Sequence, residues 1–152
     1  DAGKFWRIIE RNQVAVFFTA PTAVRAIRKE DENGELYPVS DLPSLRAIFL
    51  AGERADPDTI NWLENRLDRP VIDHWWQTEL GWPALATCLG LGDTRRKAGS
   101  AGFPVPGYRV DVLDEEGEVV AQGKVGNISI KCPLPPGWKA HWQRLMVFQN
   151  VL

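Results

Sequence analysis

The sequence has little of several features that would identify a function at once. Its 152 residues contain only two cysteines and two histidines. Cys88 and Cys132 stand apart, with no Cys-x-x-Cys pair and no neighbouring histidine, and His74 and His141 lack the spacing of metal ligands. These absences exclude an obvious zinc site and a disulfide framework. Isolated thiols are typical of a reducing compartment, so we expect a cytoplasmic protein, or a mitochondrial matrix protein in a eukaryote.

Charge and hydropathy exclude two further classes of partner. The 20 acidic and 18 basic residues are dispersed along the chain, which leaves no positive surface for nucleic acid or an anionic membrane. No apolar run reaches about 18 residues, so no membrane-spanning helix is predicted. The chain begins with Asp1 instead of Met and has no signal-peptide pattern. We therefore expect a piece excised from a longer protein, and we expect the missing remainder of that protein to be a partner of this chain.

Three short apolar runs predict β-strands, at residues 14–18, 45–50 and 70–73. The first is nearly continuous, which is typical of a buried parallel strand. A helix is predicted from the turn at 19–22 to about Lys29, and the dipeptide Asp56-Pro57 is a strong start for another. Strands and helices joined by short loops predict right-handed crossovers and a parallel sheet. A further helix is predicted over residues 1–12, with Asp1 as its N-cap.

The pattern changes near residue 99. A connector rich in Gly and Pro, neither helix nor strand, is predicted for residues 99–107. Short antiparallel strands follow in the prediction, at 108–113, 118–121 and 126–131. The predicted fold class is α/β: a partial parallel sheet with flanking helices, followed by the start of an antiparallel β subdomain. We assign residues 1–98 to the α/β part, 99–136 to the β-rich part and 137–152 to a divergent tail compatible with a short helix.

Small, polar and aromatic residues collect where the predicted parallel strands end. The three segments are residues 18–21 (FTAP), 51–54 (AGER) and 73–79 (DHWWQTE). Ligands bind beyond the carboxyl ends of the strands in open parallel sheets, so this coincidence predicts a binding site. Gly52 lets a ligand approach the backbone, whereas Glu53 and Arg54 taken alone are typical of a solvated pair.

The third segment combines hydrogen-bonding groups with flat apolar rings. Thr78 and Glu79 supply a hydroxyl beside a carboxylate, which suits a phosphate oxygen and its Mg²⁺. Trp75 and Trp76 offer faces for a purine or an acyl chain, although a single tryptophan is more often part of a core. We expect Trp82, a few residues later, to be a packing residue.

The order of these segments resembles a known family. The motifs are Phe-Phe-Thr-Ala-Pro-Thr-Ala at 17–23, Gly-Glu-Arg-x-Asp-Pro-Asp at 52–58, Asp-His-Trp-Trp-Gln-Thr-Glu at 73–79 and Gly-x-x-Gly-x-Pro-x-Pro-Gly at 99–107. Together they resemble the AMP-forming acyl-CoA synthetases of the acetyl- and propionyl-CoA synthetase branch of the adenylate-forming superfamily, over about residues 1–136. The resemblance implies a two-step ligase. ATP·Mg²⁺ and a small carboxylic acid such as propionate or acetate give an acyl-adenylate and pyrophosphate, and the thiol of coenzyme A then displaces AMP.

The resemblance also implies roles for the residues at matching positions. The adenine would be lined by Gly52, Glu53 and Arg54. The nucleotide would be wrapped by Asp73, His74, Trp75, Trp76, Gln77 and Thr78. Thr78 would contact the α-phosphate and Glu79 would help to hold Mg²⁺, which makes these two residues the implied catalytic pair. Ala51 and Trp76 would form the acyl pocket, with the indole limiting chain length.

Departures from the acetate-specific pattern favour propionate as the substrate. Where acetate-specific members have Val, this chain has Ala51, and the loss of two methyl groups makes room for about one more carbon. The extra carbon should favour propionate by on the order of 1 kcal/mol. Arg54 in place of Pro and His74 in place of Thr also resemble the propionyl branch. Leu80 replaces a usual Thr for no reason evident in the sequence, and the pattern is lost after Pro136.

Other interpretations remain open. The family's phosphate loop, ribose-binding Asp and lysine-bearing C-terminal domain are not found in these residues, so we expect no measurable adenylation by the chain alone. The chain is alternatively a non-catalytic truncated relic that at most binds nucleotide or a partner. A platform of aromatic rings for single-stranded nucleic acid is a weaker alternative, because the charge balance is acidic.

Overall fold

A computed structural model describes residues 1–36 and 42–135, together with the backbone of residues 146–148. The helices are α1 (Gly3–Arg11), α2 (Pro21–Glu30) and α3 (Pro57–Leu67). The strands are β1 (Val16–Thr19), β2 (Ala47–Leu50), β3 (Val71–Asp73), β4 (Leu85–Ala86), β5 (Phe103–Pro104), β6 (Val110–Leu113), β7 (Asn127–Ile130) and β8 (Met146–Phe148). Two 3₁₀ turns span Thr78–Leu80 and Leu89–Leu91.

The first three strands form a parallel sheet in the order β1-β2-β3. Their register aligns Thr19 with Leu50, and Leu50 with Asp73. The carboxyl ends of all three strands therefore lie level at one edge of the sheet. The predicted α/β class and parallel sheet are confirmed.

The α3 helix forms where the sequence predicts it. The Asp56 carboxylate accepts a hydrogen bond from the backbone N–H of Thr59 at 2.8 Å, and Pro57 follows in the first turn. The apolar face is buried, with Ile60, Leu63 and Leu67 exposed by 3%, 0% and 6%. Burying one such side chain contributes about 1.5–3 kcal/mol, more than a helix cap contributes. The apolar face rather than the cap therefore supplies most of the stabilisation of α3.

Asp1 does not cap α1, so that prediction was wrong. The N-cap residue is Ala2, which makes no side-chain capping bond. The Asp1 carboxylate instead accepts hydrogen bonds from the Arg7 guanidinium at 2.6 and 2.9 Å. A guanidinium within reach offers two charge-assisted bonds, which are stronger than the bond to a backbone N–H.

The buried character predicted for the first strand was also wrong. Among the described residues β1 pairs with β2 alone and is an edge strand. Val16 and Phe18 are 44% and 55% exposed, whereas Phe17 packs edge-on against Trp6 of α1, with 6.2 Å between ring centroids. An apolar run does not distinguish an edge strand from a central one, because the neighbours that would cover it lie elsewhere in the chain.

The second half contains the predicted antiparallel strands, with differences. The strands β6, β7 and β8 form an antiparallel sheet in that order. Part of the predicted connector is a strand, since β5 pairs with β4. The predicted strand at 118–121 is reduced to one bridge between Leu113 and Val119. Strands of two residues carry no readable alternation, which is why the sequence pattern missed β4 and β5.

The sequence of the tail is compatible with a short helix, but the part that the structure describes, Met146–Phe148, is strand β8. Its partner is β7, and Ile130 pairs with Met146. The rest of the predicted tail, including Trp138 and Trp142, and the other histidine, His141, lie outside the described residues.

Two separate hydrophobic clusters stabilise the described part of the chain. The first lies between the parallel sheet and its helices and includes Trp6, Ile48 and Leu63. The second begins at Trp75 and includes Leu80, Ala84, Tyr108 and Ile130. The boundary predicted near residue 98 stays a prediction. Within the described ranges, none of the helices combines the length and apolar character needed to cross a membrane.

Candidate active site

The loops that follow the three parallel strands leave the sheet at the same edge. The backbone N–H of Ala51 donates to the carbonyl of Thr19 at 3.1 Å, and that of His74 donates to the carbonyl of Leu50 at 3.1 Å. These bonds continue the parallel ladder one residue beyond β2 and β3. The structure therefore brings the beginnings of the 51–54 and 73–79 segments together at this edge, as the sequence predicted.

The loop after β2 presents backbone to its surroundings. Ala51 is 6% exposed, whereas Gly52, Glu53 and Arg54 are exposed. Gly52 has φ +99°, and a Cβ added there would meet no atom within 4 Å. Glycine is thus required by the backbone conformation, and the space beside it is open to a ligand.

Glu53 is not one half of a solvated pair with Arg54. Its carboxylate accepts hydrogen bonds from the backbone N–H of Thr22 at 2.8 Å and from Arg25 Nη2 at 3.0 and 2.9 Å. The Thr22 hydroxyl donates to the same carboxylate. These bonds, first that of the Thr22 hydroxyl and then those of Arg25, lower the pKa of Glu53. Because its carboxylate is already engaged, Glu53 has mainly its backbone left for a ligand.

Asp73 and His74 are buried at the end of β3. Asp73 Oδ2 accepts a hydrogen bond from the Ala55 N–H at 3.3 Å, and burial raises the pKa of Asp73, an effect that this bond partly offsets. His74 Nδ1 lies 2.8 Å from the carbonyl oxygen of Leu50, so Nδ1 carries the proton. Burial lowers the pKa of His74, which favours the neutral ring.

The His74 ring also links the three strands. It meets the rings of Phe18 and Phe49 edge-on, with centroids 5.3 and 5.5 Å away. Phe18 belongs to β1 and Phe49 to β2, so one imidazole at the end of β3 contacts a side chain from each of the other two strands. This position holds the site edge together, and the contact between His74 and the nucleotide stays a prediction.

The tryptophans of the 73–82 region have different surroundings. Trp75 is 8% exposed, forms a backbone bridge with Leu85 and belongs to the second hydrophobic cluster. Trp76 is 40% exposed at the site edge and is available to a ligand. Trp82 is 67% exposed, so the prediction that it packs was wrong. It lies in the turn after Gly81, between the buried residues Leu80 and Ala84.

A 3₁₀ turn presents the predicted catalytic pair. Thr78 and Glu79 are exposed, whereas the third residue of the turn, Leu80, is 1% exposed. The Tyr108 hydroxyl donates to the Leu80 carbonyl at 3.0 Å. Leu80 is therefore an apolar anchor of the turn, which explains an apolar residue at this position.

The 3₁₀ turn supplies too few oxygen atoms to bind Mg²⁺ unless a bound substrate supplies the others. Mg²⁺ prefers oxygen ligands, and proteins often hold it with one or two carboxylates plus substrate phosphates. Glu79 supplies one such carboxylate. Among the residues that the structure describes, no group of three or more His, Cys, Asp or Glu side chains is placed to hold a metal. The remaining ligands would come from phosphate and water.

A cavity of about 230 Å³ lies beside β3 and α3. Asp73 is the only predicted site residue in its lining, which also includes Thr87, Lys97 and Ser100. Arg96 and Glu64 form an ion pair in its wall. Ala51, Gly52 and Trp76 are not part of this lining, so of the predicted site residues only Asp73 borders both the cavity and the edge where the loops meet.

Sequence reasoning missed the residues that hold the loops. Thr22 and Arg25 bind Glu53, and Tyr108 fixes the turn at Leu80. Thr22 belongs to a motif that the sequence singled out, but its partner lies 31 residues away. Only the parallel register brings the start of α2 beside the loop after β2, so no local spacing could have revealed the pair.

Comparison with known proteins identifies the family. The family model described as "AMP-binding enzyme" matches residues 1–134. The chain belongs to this family. Its membership agrees with the parallel sheet whose loops form the site edge, and it confirms the resemblance on which the residue roles depend.

Named relatives in this AMP-binding family include acyl-CoA ligases. The chain is 43% identical to propionate–CoA ligase of Escherichia coli, covering 90% of this chain and 22% of the relative. It is 42% identical to human acyl-CoA synthetase short-chain family member 3, mitochondrial, covering 99% of this chain and 22% of the relative. A solved anthranilate CoA ligase in complex with anthranoyl-AMP superposes with a TM-score of 0.73 at 26% identity, covering 88% of this chain and 24% of that one. The chain thus spans less than a quarter of the length of each.

Proposed function

We propose that the full-length protein containing this chain is an AMP-forming short-chain acyl-CoA ligase that prefers propionate. In the first step a carboxylate oxygen attacks the α-phosphorus of ATP and pyrophosphate leaves, which gives the acyl-adenylate. In the second step the thiol sulfur of coenzyme A attacks the acyl carbonyl, loses its proton, and AMP leaves. The family and the acyl-CoA ligases among the named relatives support this chemistry.

The level strand ends are the observation that carries the proposal. One edge of the sheet holds the open backbone at Gly52, the exposed ring of Trp76 and the exposed pair Thr78 and Glu79. A flat ring, unhindered backbone and oxygen donors on one edge match the parts of a nucleotide joined to a small acid. Ala51, buried at the same edge, belongs to the acid's side of the site.

Each residue has a role under this proposal. The backbone of residues 52–54 borders the adenine, while Asp73, His74, Trp75, Trp76 and Gln77 surround the nucleotide. Thr78 donates its hydroxyl to an α-phosphate oxygen, where negative charge increases during attack. Glu79 would help to hold a Mg²⁺ ion that arrives with ATP, and the bound ion would neutralise charge on the phosphates. Trp76 and Ala51 bound the acyl group.

The first experiment measures carboxylate-dependent pyrophosphate exchange by the full-length protein with acetate, propionate and butyrate. We expect propionate to have the highest kcat/KM. Ala51→Val should reduce the preference for propionate over acetate about fivefold, since about 1 kcal/mol of that preference is attributed to the vacant space. The thermal midpoint of this variant should be recorded as well, because extra methyl groups at a buried site also destabilise.

The matched test of the pocket wall compares two tryptophans. Trp76→Gly should admit butyrate and longer acids, because the ring that limits chain length is gone. Trp82→Gly, which removes an exposed indole outside the proposed pocket, should leave the chain-length profile unchanged. Identical profiles for Trp76→Gly and the wild type would show that Trp76 is not the wall.

The chain alone should show no measurable adenylation, because the proposed reaction needs parts that these residues do not contain. The same exchange assay on the isolated chain checks this expectation. The alternative of a non-catalytic relic predicts that the full-length protein is inactive too, with every short acid. We further propose that the full-length protein is located in the cytoplasm, or in the mitochondrial matrix of a eukaryote.

A further inference from the structure

One side chain from a different element binds the 51–56 loop at two points, Glu53 and Asp56. Arg25 of α2 donates through Nη2 to both carboxylate oxygens of Glu53, at 3.0 and 2.9 Å. Its Nη1 lies 3.4 Å from Asp56 Oδ2. Asp56 is the N-cap of α3, so the guanidinium joins the start of α2 to the loop and to the start of α3.

Thr22 completes this arrangement. It gives its backbone N–H and its hydroxyl to Glu53, and its hydroxyl accepts a hydrogen bond from Arg25 Nη2 at 3.2 Å. The N–H of Thr22 is in the first turn of α2, where helix N–H groups have no intrahelical partner. We call Thr22, Arg25, Glu53 and Asp56 the loop clamp.

The clamp fixes the residues that stand between its two carboxylates. Arg54 and Ala55 lie between Glu53 and Asp56, and the Ala55 N–H donates to the buried carboxylate of Asp73 at 3.3 Å. Gly52, at φ +99°, has no side chain that packs on its surroundings. With no side-chain contact at residue 52, the path of the loop depends on the bonds made further along it.

The clamp is poorly placed to act as a stabiliser of the fold. Arg25 and Glu53 have side chains 42% and 39% exposed, and Asp56 is 46% exposed. Exposed ion pairs contribute little to folding stability. Two side chains of α2, Thr22 and Arg25, nevertheless bind two carboxylates of one loop, and that loop borders the proposed nucleotide site.

We propose that Arg25, with Thr22, is a positioning residue for nucleotide binding: it holds the backbone of residues 52–55 at the distance from β3 that the adenine requires. This inference rests on the proposed function. It assigns Arg25 no contact with the substrates. Small displacements of positioning groups have large effects on binding and rate.

The test uses the full-length protein and separates the two substrates. In Arg25→Met, which keeps the aliphatic stem, we expect the KM for ATP to rise about tenfold. The KM for propionate should change by less than about twofold, and the thermal midpoint should stay within a few degrees, as exposed ion pairs contribute little to stability. Arg25→Lys keeps the positive charge and one donor nitrogen, and it should retain part of the ATP affinity that Arg25→Met loses. Thr22→Val should raise the KM for ATP by a smaller factor.

Arg28→Met is the matched control. Arg28 is on the same helix, and its ion pair with Glu32 at 4.0 Å is away from the loop. The control should leave both KM values unchanged. The inference is overturned if Arg25→Met leaves the KM for ATP unchanged, if both KM values rise together, or if Arg28→Met has the same effect. If Arg25→Met fails to fold, Arg25→Lys and Thr22→Val test the inference instead. A rise in the KM for ATP without a rise in the KM for propionate supports it, and any other result overturns it.

Failure of the proposed function gives a different result. A wild-type protein that shows no pyrophosphate exchange with any short acid would refute the ligase proposal itself. A wild-type protein that is active, with Arg25 variants that bind ATP normally, would refute only the positioning role.

Discussion

At Gly52 the backbone conformation, and not a lack of space, excludes other residues. A Cβ there would meet no atom within 4 Å, but φ is +99°. Gly90 is a natural control, because it also has open space around it while its φ is outside the strained range. The two glycines therefore separate strain from crowding.

Gly52→Ala should lower the free energy of unfolding by about 1–2 kcal/mol, the cost of placing a side chain in the left-handed half of φ space. Gly90→Ala should leave it unchanged or slightly raised, since alanine reduces the entropy of the unfolded chain. Urea unfolding of the full-length protein, followed by tryptophan fluorescence, measures both midpoints. Equal midpoints for the two variants would show that residue 52 tolerates a side chain.

Thr78 and Glu79 follow the end of β3 and are exposed, so they are accessible to a ligand as their predicted roles require, while those roles stay predictions. Residues were less predictable where a partner far away in the sequence determines what the side chain contacts. Glu53 taken alone is typical of a solvated pair, but its carboxylate is bound by Thr22 and Arg25 of α2. The exposure of Trp82 was missed for a similar reason, because burial depends on the neighbours and not on the indole.

At the scale of elements, α3 shows the clearest local encoding. Its N-cap, its proline and its apolar spacing all agree, and the helix begins at Pro57 as predicted. The α1 helix has no side-chain cap and relies on Trp6 and Ile9, which are 1% and 2% exposed. The predicted cap at Asp1 does not form, because its carboxylate binds Arg7 of the same helix, whereas Asp56 at the predicted helix start caps α3.

Asp56→Ala should destabilise the protein by about 1 kcal/mol, since it removes the acceptor for the Thr59 N–H and hydroxyl. Asp58→Ala is the matched control: it removes a first-turn carboxylate that contributes only through the helix dipole. Its effect should be clearly smaller. Thermal and urea unfolding of the full-length protein measure both, and equal losses would mean that general charge, and not the capping bond, stabilises the start of α3.

Among whole elements, the short strands were the hardest to predict. The β4 and β5 strands have two residues each, and they pair across residues 85–104. Their pairing follows from the second hydrophobic cluster, which gathers Trp75, Ala84 and Val105 from separate segments. Tertiary contacts of this kind leave no local pattern, whereas the parallel strands were found because their apolar runs are longer.

At the scale of the whole molecule, apolar side chains of β1 and α1 are exposed. Val16 and Phe18 of β1 are 44% and 55% exposed, and Phe5 and Ile8 of α1 are 39% and 47% exposed. Apolar surface exposed at an edge strand favours association with other chains. The relatives that this chain matches are about four times its length or more, and a longer protein has more residues with which to cover such a surface.

The isolated chain should therefore self-associate through β1, and Val16→Lys should reduce that association. A lysine on an edge strand blocks pairing with a second strand by its charge. Val125→Lys is the control, because Val125 is 83% exposed but lies outside the described strands. Size-exclusion chromatography with light scattering over a range of concentrations should show larger species for the wild type and for Val125→Lys, and smaller ones for Val16→Lys. If Val16→Lys and Val125→Lys reduce association equally, the effect is one of net charge, and β1 is not the surface through which the chains meet.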